Sequence, residues 1–232
     1  MNGVTIGTTA GNYGKWNNLS APTGGGGGAH TFAFYDRVDQ GGTCTTATCT
    51  YGISGVPGAS TVVMVFVYAP GNEYISSVTG CSATWITGSG SAYAAFNSAA
   101  GSAAVAYALN AATACASVTV TLSAAPSGSW DSITNEYTYT GSGTATIDQL
   151  AATNTNTTSC SSCSASGFTG LTGTSDLMVQ LINDNTGVSA PSSPYVWDGG
   201  DVAIYALNIT SGTAPTITQT AGPFQSLGFA FK

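Results

Sequence analysis

A chain of 232 residues with 43% hydrophobic and only 6% charged residues is long enough for one large core and too poor in charge to be a solvated disordered segment. Ten acidic residues stand against three basic ones, Lys15, Arg37 and Lys232, whose scatter speaks against nucleic acid and anionic membranes as partners. No uninterrupted apolar run approaches the roughly 20 residues of a membrane-spanning helix.

The opening residues, MNGVTIGTTAG, carry neither the basic nor the apolar region of a secretory signal. The expectation is that a signal has been removed, or that the protein is released by lysis. Residues 4–9 predict a short strand, and Gly24 to Gly28 form an unbroken glycine run. This divides the chain into an N-terminal arm, residues 1–28, and one domain, residues 29–232. The arm is either a loop between two strands of that domain or a strand available to a neighbouring subunit.

Strands are predicted at 31–35, followed by an acidic turn at 36–39 and a cysteine loop, and then at 61–68. TVVMVFVY is apolar at nearly every position, so it should be central and covered on both faces. Shorter strands follow at 73–78, 82–86 and 91–96. Between 103 and 139 three runs alternate with a period of two. Val105, Tyr107 and Leu109 form one apolar set, Val118, Val120 and Leu122 the next, and Ile133, Tyr137 and Tyr139 the third. Threonine fills the opposite face of the middle run, the mark of a half-buried antiparallel strand. Further strands are expected at 144–150, 177–182, 202–207 and 227–231, with a polar loop at 151–166. No stretch has the period of a three-turn amphipathic helix. The pattern predicts an all-β, antiparallel β-sandwich, of jelly-roll type, with disulfide-pinned loops.

The six cysteines fall into the pairs Cys44 with Cys49, Cys81 with Cys115 and Cys160 with Cys163. An even number in a polar, lysine-poor chain favours disulfides and an extracellular or surface-displayed setting. A Cys81–Cys115 bridge would close the largest loop and stabilise by roughly 3–4 kcal/mol.

From residue 61 onward the order of motifs resembles secreted bacterial and phage β-sandwich modules of jelly-roll, concanavalin-like type, whose function is unknown. The motifs are the turn Gly71, Asn72, Glu73, Tyr74, then AVAYALN ending at Asn110, SVTVTLS, NEYTYTG, ATIDQLAA, SDLMVQLI and the closing FAFK. The resemblance implies a fold and a displayed setting, and no catalytic residues. The first 60 residues depart from it.

Candidate sites are few. His30 is the only histidine and no nucleophile elbow is present, so a serine triad has no support. The only glutamates, Glu73 and Glu136, are far apart in sequence. They are expected to be solvated turn and strand-face residues, although a lectin-like hydrolase would need such a carboxyl pair. Cys160 and Cys163, with Cys44 and Cys49, have the spacing of a zinc site but lie in Thr/Ser loops. Asp198 and Asp201 bracket two glycines and are candidate calcium ligands; Asp36 and Asp39 form a looser pair. Tyr195 and Trp197, two apart beside that loop, and Trp130 are candidate sugar-stacking residues, or else anchors tucked into the edge of the domain. Asn18, Asn156 and Asn208 begin glycosylation sequons.

Three functions follow as expectations. The first is a non-enzymatic structural or adhesive subunit that self-associates on a surface, appendage or virion. The second is a carbohydrate-binding module, calcium-dependent if Asp198 and Asp201 hold the ion. The third is a glycoside hydrolase using Glu73 or Glu136.

Overall fold

The computed structural model describes residues 29–53, 61–71, 73–87, 92–95, 102–111, 115–150, 155–165, 167–183, 189–200, 203–212 and 214–232. The N-terminal arm and the strand expected at 4–9 lie outside the described residues. Among the described residues all the regular elements are strands, and every pairing is antiparallel.

The first sheet has the order β1 (Thr31–Asp39), β9 (Asp131–Thr140), β3 (Thr61–Ala69), β7 (Ser102–Ala108) and β5 (Trp85–Ile86), with β6 (Ala92–Ala95) also on β7. The second runs β10 (Ile147–Leu150), β15 (Thr216–Phe231), β12 (Asp176–Asn183), β14 (Ala203–Ile209) and β13 (Val196–Trp197), with β11 (Thr155–Ser164) also on β15. A third sheet has β8 (Ser117–Leu122) between β2 (Thr48–Gly52) and β4 (Ile75–Gly80).

The first sheet contributes side chains to two apolar clusters, one from each face. Val62, Met64 and Phe66 of β3 meet Leu177, Val179 and Leu181 of β12 and Leu227, Phe229 and Phe231 of β15. Val63, Val65 and Val67 join Val118, Val120 and Leu122 of β8 in the other cluster. This is why β3 is apolar at successive positions: it has no solvent face, and each large side chain so buried stabilises by roughly 1.5–3 kcal/mol. Strand β7 offers Val105 and Tyr107 to one cluster but only Ala104 and Ala106 to the other. A third cluster lies on the second sheet's opposite face, where Met178, Ile182, Ile204 and Phe224 meet Phe168 and Tyr195.

Two expectations about loops give way. Residues 36–39 are not a turn, because β1 continues to Asp39 after a register shift between Phe34 and Asp36. The stretch expected as a polar loop at 151–166 contains β11, whose backbone pairs along β15 from Thr155↔Ser226 to Ser164↔Thr216. The Cys160–Cys163 bridge sits where that ladder is irregular. There the two N–H groups of the Gln219 amide are shared among the carbonyls of Cys160, Gly222 and Pro223, all within 3.2 Å of its nitrogen.

Asn208 joins the two larger sheets. Its side-chain carbonyl accepts from the Phe32 backbone N–H at 2.8 Å, and its amide donates to the Phe32 carbonyl at 3.1 Å. It thus pairs with β1 as another strand would, from a left-handed backbone (φ 57°) that asparagine tolerates. Asn208→Ala is expected to lower stability by about 1–3 kcal/mol, read as a lower urea midpoint. The nitrogen that a glycan would occupy at this sequon is already donated to the fold.

Candidate functional site

The polar clasp at the β13–β14 turn is built by a bulge. In β1, Phe32 and Phe34 lie opposite Tyr139 and Tyr137, and Phe34 stacks on Tyr205 with ring centroids 4.9 Å apart. Unbroken alternation would send Asp36 the same way. The shift at Tyr35 instead sets Asp36 opposite Glu136 and Arg37 opposite Asn135. Arg37 and Asn135 then both reach Asp198: Arg37 Nε lies 3.3 Å from Asp198 Oδ2, and Asn135 Nδ2 donates to the same oxygen at 2.9 Å. Asp198 Oδ1 accepts from the Gly200 N–H at 3.1 Å. A Cβ on Gly200 would collide with the Arg37 guanidinium, so this glycine is needed for close approach.

This geometry changes the calcium expectation. The Asp198 side chain is fully buried and both its oxygens serve internal donors, so it is an ion-pair partner rather than an open oxygen ligand. Asp201 lies outside the described residues. Asp39, likewise, pairs with Arg37 at 3.0 Å. No group of three or more potential metal ligands occurs among the described residues.

The aromatic candidates turn inward. Trp130 is 1% exposed, packs among Cys44, Val67 and Leu122, and donates its indole N–H to the Thr46 carbonyl at 2.7 Å. Tyr195 is 3% exposed in the third cluster, its hydroxyl against Met178 and Gln180. Trp197 is half-buried beside it and donates to the Ser189 carbonyl at 3.0 Å. Tyr195 and Trp197 do share a face, but that face is packed on the second sheet, while Val196 between them points out. Trp130 and Tyr195 therefore offer no ring face for a sugar to stack on; they are anchors.

All six cysteines are in the three expected disulfides, which leaves no thiolate for zinc. The bridges suit an oxidising, extracellular environment. No helix among the described residues is long and apolar enough to cross a membrane. His30 is buried, stacked on Tyr139 and edge-on to Phe32.

Glu136 departs most from expectation. It is wholly buried, not solvated, on the face of β9 that also carries Ser132 and Thr134. Those two hydroxyls bond the Tyr51 hydroxyl, each at 2.7 Å, whereas neither Glu136 oxygen has a hydrogen-bond partner. Burial first, and then the charge of Asp36, push its carboxyl up to about 7. Glu73 stands apart from it, in the turn before β4.

A second acid pair was not singled out from sequence. Asp148 follows Ile147 in β10, and Asp176 begins β12. Lys232 Nζ lies 2.9 Å from Asp148 Oδ1, and Thr172 gives Asp148 both its backbone N–H and its hydroxyl. Burial pushes Asp148 up, but the hydrogen bonds from Thr172 and Lys232 outweigh it and hold this carboxyl below the usual range. Burial, the bond to Asp148 and the charge of Asp148 push Asp176 up to about 8. The two thus titrate as one pair, carboxylic acid on carboxylate. The available signal was a lone acid or lysine abutting an apolar strand: SDLMVQLI, ATIDQL and FAFK.

Comparison of the chain with protein-family models, with curated proteins and with solved structures finds no match.

Proposed function

We propose that this chain is a structural or adhesive subunit of an extracellular assembly, without enzymatic activity, built as a β-sandwich of the jelly-roll type that secreted surface modules use. One observation carries the reading: among the described residues, the charged and aromatic groups singled out as site candidates mostly face inward and brace the fold, beside an exterior that carries hydroxyl ladders. Arg37 and Lys232 are both engaged in ion pairs, and Trp130, Tyr195, Asp198 and Glu136 are buried. The exposed side of the third sheet is a threonine ladder, with Thr48 bonded to Thr121 and Thr50 to Thr119 across the strands.

Such a surface has few charges to desolvate when it packs against a copy of itself. Among the described strands, β2 and β4 each pair on one side only, with β8, which leaves backbone groups for strand addition. Light scattering on the purified chain is expected to find concentration-dependent oligomers. Deleting residues 1–23 should yield a folded monomer if the arm is the added strand. A wild-type chain that stays monomeric at all concentrations overturns the reading.

A further inference from the structure

One end of the second sheet brings a partly exposed ammonium, that of Lys232 (27% exposed), onto a buried carboxylate beside a second buried carboxyl. Strand β15 is central there, with Phe231 opposite Ile147 on one side and Leu177 on the other. Lys232 is held by a reciprocal backbone pair with Thr146, at 2.7 and 2.8 Å. Asp148 and Asp176 therefore flank Lys232 from the two neighbouring strands. The Asp148 side chain is 2% exposed and Asp176 is wholly buried. A Cβ on Gly173 would collide with the Asp176 carboxyl, so the chain closes over it at a residue with no side chain. Neither Asp176 oxygen receives a hydrogen bond from a donor group. Burial and the neighbouring Asp148 carboxylate favour the protonated form of Asp176. Thr172 fixes the other partners, donating to Asp148 through its N–H at 2.6 Å and accepting from Lys232 Nζ at 2.6 Å.

We propose that Lys232 and Asp148 condense into an intramolecular isopeptide bond, with Asp176 carrying the protons. An ammonium and a carboxylate become an amide and one water, so no oxidant, reductant or activating group is needed. A proton moves from Lys232 Nζ to the Asp148 carboxylate, giving an amine and a carboxylic acid. The nitrogen lone pair attacks Asp148 Cγ while Asp176 donates its proton to the carbonyl oxygen, and the C–N bond forms. Asp176, now a carboxylate, takes a second proton from the nitrogen and returns it to the departing hydroxyl. The C–O bond breaks, water leaves, and loss of the proton from the remaining oxygen leaves Asp176 protonated as it began. Two features favour a condensation that is slow between free partners. Fixed neighbours react as though at an effective concentration of up to about 10⁵–10⁸ M. Burial of the Asp148 half also disfavours the ion pair relative to the neutral amide that replaces it. The bond would tie β10 covalently to the end of β15, whatever the oligomeric state.

Intact-mass spectrometry on the purified full chain, reduced and denatured, tests this. Wild type is expected to be lighter than its sequence mass by one water, with digestion giving a branched peptide that joins Asp148 to Lys232. Lys232→Arg should have the full mass, as should Asp176→Asn, an isostere that cannot carry the proton. Asp176→Glu should restore part of the loss. A wild-type chain with native circular dichroism and the full sequence mass overturns the proposal whether or not any variant folds. So does a water loss that persists in Lys232→Arg.

Discussion

Arg37→Leu is expected to lower the stability of the fold by about 3–5 kcal/mol, seen as a reduced urea midpoint with an unchanged slope. Exposed ion pairs are worth little, and the Arg37–Asp39 half of the clasp, with Asp39 38% exposed, should contribute little. The Asp198 half differs, because that carboxylate is 0% exposed and Arg37 only 18%. Removing the guanidinium leaves Asp198 buried with the Asn135 amide and the Gly200 N–H as its remaining donors. The loss then comes from an uncompensated buried charge, not from a missing contact. Arg37→Leu combined with Asp198→Leu should accordingly recover much of it, since an apolar pair has no charge to desolvate. A single-variant change within about 0.5 kcal/mol would show that water reaches Asp198.

The clasp also shows what sequence could and could not reveal. Strands whose environment repeats along their length were legible: β8 alternates valine and threonine because one face is packed, and β3 is apolar throughout because both are. β9 alternates too, but its polar set, Ser132, Thr134 and Glu136, is buried as well. Periodicity separates two faces without saying that each is wet or dry. Two cysteine pairs were legible from spacing, since separations of 5 and 3 bring sulfurs together whatever the fold does; Cys81 and Cys115, 34 apart, followed as the remaining pair.

The missed features depend on residues distant in sequence. The bulge at Tyr35 is one added residue in an otherwise regular strand, and it decides whether Asp36 or Arg37 turns toward Asp198. Asp198 with its two glycines has the composition of a calcium loop, yet Gly200 is bare to admit an arginine from β1. Trp130 looked like a loop aromatic because its neighbours are polar, but it bridges to Cys44 and closes the cluster under the third sheet. Strand β11 was hidden by its Thr/Ser composition: it borrows its place from the long partner β15.

Glu136→Gln is expected to stabilise the protein by roughly 3 kcal/mol at pH 8 and by nearly nothing below pH 4, because burial moves this carboxyl from 4.5 to about 7 on folding. Below 4.5 the group is protonated in both states and contributes no pH dependence. As pH rises from there to about 7, the unfolded chain releases the proton while the folded chain keeps it, so stability falls through that window. Above it the folded state ionises as well, and the loss levels off. Glutamine has nearly the same shape and no proton to lose, so the variant should lack this slope. Asp176, pushed up to about 8, loses stability over an overlapping range and keeps doing so in both chains. The quantity to measure is therefore the difference between the two unfolding free energies, by urea titration at steps from pH 4 to 8. It should grow across the window and then stay level. A difference that is flat throughout would mean that the Glu136 carboxyl meets water and that β9 has one solvated face, the arrangement its alternation first suggested.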